Sequence, residues 1–106
     1  MYLLVDTGAD STILHPAQWR WMGVSFKRLR NPVPTIGVGG EAVHFSEPCV
    51  VAFEHAAGGY SSHEIDVALA PILPGTAGLP AVLGRDVLTQ FGRVTVDFAR
   101  AEVVLE

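Results

Sequence analysis

The sequence predicts a small all-β domain with one short helix near its C-terminus, and three observations carry that prediction. Apolar residues hold five of the six odd positions from Val43 to Phe53, and recur at Ile65, Val67 and Leu69. The 11 glycines and 7 prolines fall largely between such runs, where chain reversals need them. Helical spacing after residue 80 is confined to one short stretch, where Leu88 and Phe91 share a face.

The elements follow in order. Residues 2 to 5 are apolar and read as a strand; Thr12, Ile13 and Leu14 read as a second short one. His15 and Pro16 open a possible helical turn that Gly23 can close. Val24 to Leu29 reads as extended, and Asn31, Pro32, Val33 and Pro34 break any helix. In the run from Val43 to Phe53, five of the six odd positions are apolar while the even ones are more polar, so the strand is half-buried. Pro48 within it marks an edge or a bulge. Ala57, Gly58 and Gly59 turn the chain into the strand through Leu69, and residues 70 to 80 read as a loop. Asp86 is placed to cap the short helix and Gly92 to end it. Val94, Val96 and Phe98 alternate with Thr95 and Asp97, and a tight turn near Ala99 to Ala101 leads to a last strand from Val103.

Bulk properties narrow the function classes. The 106 residues suit one domain, 1–106, with one core. Charged residues make up only 17% against 49% hydrophobic, so much apolar surface must be covered, part of it in an interface. The net charge is −4 and no Lys/Arg run tracks phosphates, which argues against a nucleic-acid partner. No apolar run approaches the ~20 residues of a membrane span, and no export signal precedes the first strand. Cys49 is the single cysteine, so no disulfide forms within the chain and the cytoplasm is the default compartment.

The chemistry is concentrated at the front of the chain, where Leu3, Leu4 and Val5 run into Asp6, Thr7, Gly8, Ala9 and Asp10. An apolar strand delivers a carboxylate into a turn that glycine lets bend sharply, and whatever faces that carboxylate sets its proton affinity. Far downstream, Ala81 to Leu88 repeats the pattern of apolar strand, glycine and polar turn. On the residues alone Asp6 could equally cap a turn. Together the two segments resemble the retropepsin-type aspartic proteases, single-domain relatives of pepsin that work as dimers.

The resemblance implies a small closed β-barrel and makes Asp6 the catalytic residue. Two carboxylates sharing one proton supply both an activated water and a proton donor. The chain holds one Asp-Thr-Gly, so the second carboxylate comes from a second copy across a two-fold axis. The family pattern assigns Thr7 to a hydrogen bond across that axis and Gly8 to close approach of the substrate backbone. It places Gly84 beneath the loop and pairs Arg85 with Asp10. A guanidinium forked onto that carboxylate would lock the loop from below, and losing a well-desolvated pair would cost about 3 kcal/mol. The alternative for Arg85 is a surface side chain at a helix start, where the helix dipole disfavours it. Ile36, Gly37, Val38, Gly39 and Gly40 match the flap that closes over a peptide or protein substrate. No metal or other cofactor is implied.

Two departures accompany the match. Only Met1 to Val5 precede Asp6 where the family carries about twenty residues, so the barrel is expected to lack its usual N-terminal strands. The long last strand looks more like cellular and bacterial members than viral ones. Of the remaining residues, His15, His44, His55 and His63 lack ligand spacing, and His44 and His63 are expected on strand surfaces. Cys49 is expected as a small core residue. Trp19, Trp21 and Met22 could border a cleft or pack in the core, and Lys27, Arg28 and Arg30 read as a solvated face. Two function classes stay open: a homodimeric aspartic endopeptidase, or a non-catalytic dimerisation or peptide-binding module of the same fold in a larger protein.

Overall fold

The computed structural model describes residues 1–37 and 40–106, with the side chain of Arg28 outside the description. Eight strands, β1 (Leu3–Val5), β2 (Ile13–Leu14), β3 (Pro32–Gly37), β4 (Gly40–Glu54), β5 (Tyr60–Leu69), β6 (Ala81–Leu83), β7 (Val94–Asp97) and β8 (Glu102–Leu105), are joined by two short helices, α1 (Pro16–Trp21) and α2 (Arg85–Leu88). The first six strands form one curled sheet in the order β1-β6-β2-β5-β4-β3, and β7 and β8 form a separate antiparallel pair. The all-β architecture with a short C-terminal helix is as the sequence predicts, and the main sheet curls into a half-barrel where a closed barrel is expected.

Alternation decides which way the long strands face. Phe45, Cys49, Val51 and Phe53 of β4 turn inward, and Ile65, Val67 and Leu69 of β5 join Leu14, Ala81, Leu83, Val87, Leu88 and the fully buried Trp19 in the core. The β4–β5 ladder runs in register from Phe45↔Leu69 to Glu54↔Tyr60. Its turn uses Gly58 and Gly59 at φ of 93° and 83°, where a side chain would be strained. Pro48 is tolerated for a geometric reason. The Ser46 N–H points away from β5 to the Asn31 carbonyl, so by parity Pro48 directs its missing donor to the same side, where β3 has ended.

Three further sequence expectations need correction, whereas the helical turn expected from His15 and Pro16 is borne out as the helix Pro16–Trp21. It begins with Pro at its first position and closes at Gly23, whose φ is 85°. The closing bonds are Gly23 N–H to Arg20 C=O and Val24 N–H to Trp19 C=O, which settle carbonyls the helix end would otherwise leave unpaired. Phe26–Arg28 is a 3₁₀ turn where extended chain was expected. Asp86 is not the cap of α2: the N-cap is Gly84, and the helix ends at Leu88, short of Phe91. His44 and His63 are half-buried rather than on the strand surface. His63 packs edge-on to Phe53 and 4.7 Å from Phe91, with Nδ1 3.0 Å from Gln90 Oε1, and so ties β5 to the chain after α2.

Candidate active site

β1 and β6 pair in parallel, Leu3↔Ala81 to Val5↔Leu83, so the chain leaves both strands at the same end of the sheet. This brings the Asp6 loop and the start of α2 together. Four main-chain contacts join them or close the loop: Asp6 N–H to Leu83 C=O (3.1 Å), Ala9 N–H to Asp6 C=O (3.2 Å), Arg85 N–H to Ala9 C=O (2.8 Å) and Asp86 N–H to Asp10 C=O (3.2 Å). The first donors of a helix lack partners within it, and here the loop carbonyls supply them. The Asp6 side chain is half-buried, and its Oδ1 accepts the Gly8 N–H at 2.9 Å. A Cβ on Gly8 would lie 3.2 Å from that oxygen, so a larger residue would press on the carboxylate.

Beneath the loop, Thr12 is buried and organises the contact with α2. Its N–H donates to both Asp86 oxygens at 3.0 and 2.9 Å, and its hydroxyl donates to Asp86 Oδ1 at 2.7 Å. The same hydroxyl accepts the Gly84 N–H at 3.0 Å, and the Val87 N–H completes the Asp86 carboxylate at 2.9 Å. Gly84 is buried, and a Cβ there would lie 2.4 Å from the Ser11 carbonyl carbon. Only glycine permits this approach.

Arg85 and Asp10 are ion-paired through Nη2 and Oδ1, but their side chains are 51% and 84% exposed. The fork and the desolvation expected from sequence are absent, so the pair is worth at most about 1 kcal/mol. The lock beneath the loop is the Thr12–Asp86–Gly84 network instead. From sequence, Thr12 reads only as the start of a short strand and Asp86 as a cap. The available signal is a Thr five residues after Thr7 and an Asp two residues after Gly84, a donor–acceptor match between the residue before β2 and the start of α2.

Thr7 and Asp10 are exposed and Ala9 is half-buried. Of the flap residues, Ile36 is 83% exposed, and Gly37 pairs with Gly40 at the end of the β3–β4 ladder. Val38 and Gly39 lie outside the described residues. β3 pairs with β4 alone, and among the described residues no hydrogen bond links this hairpin to the Asp6 loop. At the hairpin's base, Thr35 Oγ1 lies 3.2 Å from the Ala42 carbonyl and 2.7 Å from His44 Nδ1, within hydrogen-bond reach of both. Burial first, and the neighbouring His15 second, push the His44 imidazole below its ordinary range. Burial likewise pushes the half-buried Cys49 thiol up, as suits a residue on the inward face of β4.

Trp19 belongs to the core, its Nε1–H donating to the Ala70 carbonyl at 2.9 Å, whereas Trp21 and Met22 are exposed. Among the described residues no three His, Cys, Asp or Glu cluster as metal ligands, and no helix is long and apolar enough to cross a membrane.

The site is thus a strand-delivered Asp-Thr-Gly loop bonded to a glycine-led helix start. The family description of retroviral aspartyl proteases matches residues 1–95, and the chain belongs to that family. A comparison with individual curated proteins returns no match.

Proposed function

We propose that this chain is an aspartic endopeptidase in which Asp6 of two copies forms the catalytic pair. Residues 1–106 act as one domain per protomer. The observation that carries the reading is the Asp6 loop itself, one carboxylate at a strand end, fixed from below by main-chain bonds to residues 83–86. One such loop furnishes half of what metal-free peptide hydrolysis requires. A homodimer supplies the other half, bringing two carboxylates close enough that they share one proton.

In the pair, the ionised carboxylate takes a proton from water as the water oxygen bonds to the scissile carbonyl carbon. The protonated carboxyl gives its proton to the carbonyl oxygen. Collapse of the tetrahedral species breaks the C–N bond, and a proton passes to the departing amine. Thr7, exposed beside Asp6, is free to bond across the axis. Gly8 leaves room for a peptide backbone, and Ala9, Asp10, Gly84 and Arg85 support the loop. Ile36, Gly37, Val38, Gly39 and Gly40 form the flap over the substrate. The dimer reading is supported by apolar side chains left uncovered in one copy: Val96 is 50%, Phe98 92%, Val103 43% and Val104 39% exposed on the C-terminal strands and the turn between them. Such a surface suits a subunit interface.

Asp6→Asn keeps size and much of the hydrogen bonding but removes the charge and the shared proton. Cleavage of a fluorogenic peptide library at mildly acidic pH should fall by at least ~10²–10⁴-fold, with the dimer intact. Sedimentation and kinetics on the same preparations check both. Monomer alone at high micromolar concentration, or a folded Asp6→Asn variant with undiminished cleavage, would remove the shared site.

A further inference from the structure

The charge of this chain is divided. From Ser11 to Gly40 there is no Asp or Glu, and Arg20, Lys27, Arg28 and Arg30 all lie there. The other three basic residues share the rest of the chain with all eleven acidic ones. A protein of net charge −4 therefore carries one wholly cationic region, built on α1 and the 3₁₀ turn.

The same region exposes large apolar side chains by construction. Trp19, Val24 and Leu29 turn into the core and pin the segment at three points, and the Gly23 turn fixes the path between the first two. The residues between are thereby held outward: Trp21 is 77%, Phe26 63% and Met22 49% exposed. Arg20, Lys27 and Arg30 are exposed among them, and among the described residues none of the three pairs with a carboxylate. Arg20 instead lies over the Trp19 ring, 5.6 Å from its centroid. Trp, Phe, Met and Arg are the side chains that concentrate binding energy in protein interfaces, and unpaired cations beside them select an anionic partner.

We propose that the α1–3₁₀ segment is a docking surface for acidic stretches of polypeptide, recruiting protein substrates by charge and aromatic contact apart from the cleavage site. The substrate part of this statement rests on the protease reading; the docking part does not. An extended acidic peptide fits better than a lipid surface. The apolar residues come from a six-residue helix and a three-residue turn, too short for the continuous apolar face that lies in a membrane interface. The acidic remainder of the molecule repels the same peptide, so docking is directed to this side.

The test uses the full chain carrying Asp6→Asn, so that binding is read without cleavage. Fluorescein-labelled peptides rich in Glu and Asp around one aromatic residue are titrated by fluorescence polarisation, beside a control with Lys at every acidic position. The acidic peptide should bind roughly tenfold or more tightly than the control, and weaken several-fold between 50 mM and 500 mM salt. Lys27→Glu with Arg30→Glu should abolish the preference, and Trp21→Ala should weaken binding about tenfold while circular dichroism stays unchanged. In the active chain the same variants should raise KM for an acidic protein and leave cleavage of a short neutral peptide unaltered. Equal binding of both peptides, indifference to the variants, or tighter binding to phosphatidylserine vesicles or oligonucleotides than to the peptide overturns the proposal. Docking with no cleavage of any substrate would count against the protease reading alone.

Discussion

The Asp6 loop and the β3–β4 hairpin are both chain reversals assigned to the same chemistry, yet they are held by opposite means. The loop is fixed by distant parts of the chain: residues 83–87 reach it through the main chain, Thr12 and Asp86. The hairpin is held by its own ladder, Pro32↔Phe45 to Gly37↔Gly40, with Val33, Ile36 and Val43 left 44%, 83% and 46% exposed. Long-range polar contacts in a buried setting lock one geometry, while a two-stranded ladder with exposed side chains is marginal by itself. Under the function proposed above, a carboxylate that meets a partner copy needs the first kind of support, and a cover that admits and releases a peptide needs the second.

Breaking the loop's support should have the largest effect. Gly84→Ala drives a methyl group into the Ser11 main chain, where a 2.4 Å approach cannot relax by moving a side chain. The cost should be about 3 kcal/mol or more, visible as a large fall in Tm, with activity lost because the loop is displaced. A variant of unchanged Tm would mean that the loop and α2 are looser than this packing implies.

Asp86→Ala comes next. It leaves the buried Thr12 N–H without its acceptor and removes the acceptor of the Thr12 hydroxyl, at about 2–3 kcal/mol by denaturant unfolding. Asp86→Asn retains one acceptor oxygen and should lose less. Arg85→Ala, breaking an exposed pair, should lose under about 1 kcal/mol. The reverse ranking would restore the guanidinium as the lock.

Why the sequence misplaced that lock is instructive. Local signals were legible: the inward face of β4 and β5 followed from period-two alternation, the Gly58–Gly59 turn from its glycines, and the loop from Asp-Thr-Gly. Asp86 reads as a cap because a helix-start Asp follows a sound local rule, whereas its partner, Thr12, lies 74 residues away. Phe26–Arg28 reads as extended because its apolar and basic residues carry no period that separates a 3₁₀ turn from extended chain. Whether an ion pair is desolvated is a property of packing, which spacing along the chain does not encode. So Arg85 and Asp10 could be paired from sequence, but not weighed.

Ile36→Ala tests the other half of the comparison. At 83% exposure the side chain supports little of the fold, so stability should change by less than about 0.5 kcal/mol. If the hairpin covers bound peptide, KM should rise several-fold with the dimer unchanged. Unaltered kinetics would separate this hairpin from substrate binding.

The smallest expected effect lies at the hairpin's base and concerns pH. Half-buried His44 is hydrogen-bonded through Nδ1 to Thr35, and burial, with His15 nearby, holds its imidazole below the ordinary value. Between that depressed value and about 6.5, the unfolded chain therefore binds more protons at this site than the folded one. Stability then rises with pH: the contribution is complete above about 6.5 and is lost as the pH falls toward the folded value. Charging this half-buried imidazole therefore costs the folded hairpin stability on the acid side. His44→Gln removes the titration while keeping a side chain that can donate to Thr35. The fall in Tm between pH 7 and pH 5 should become shallower in the variant, and thermal denaturation across that range measures it. An identical slope in both proteins would show that protonation of His44 costs the fold nothing, and that any acid weakening of the hairpin arises elsewhere.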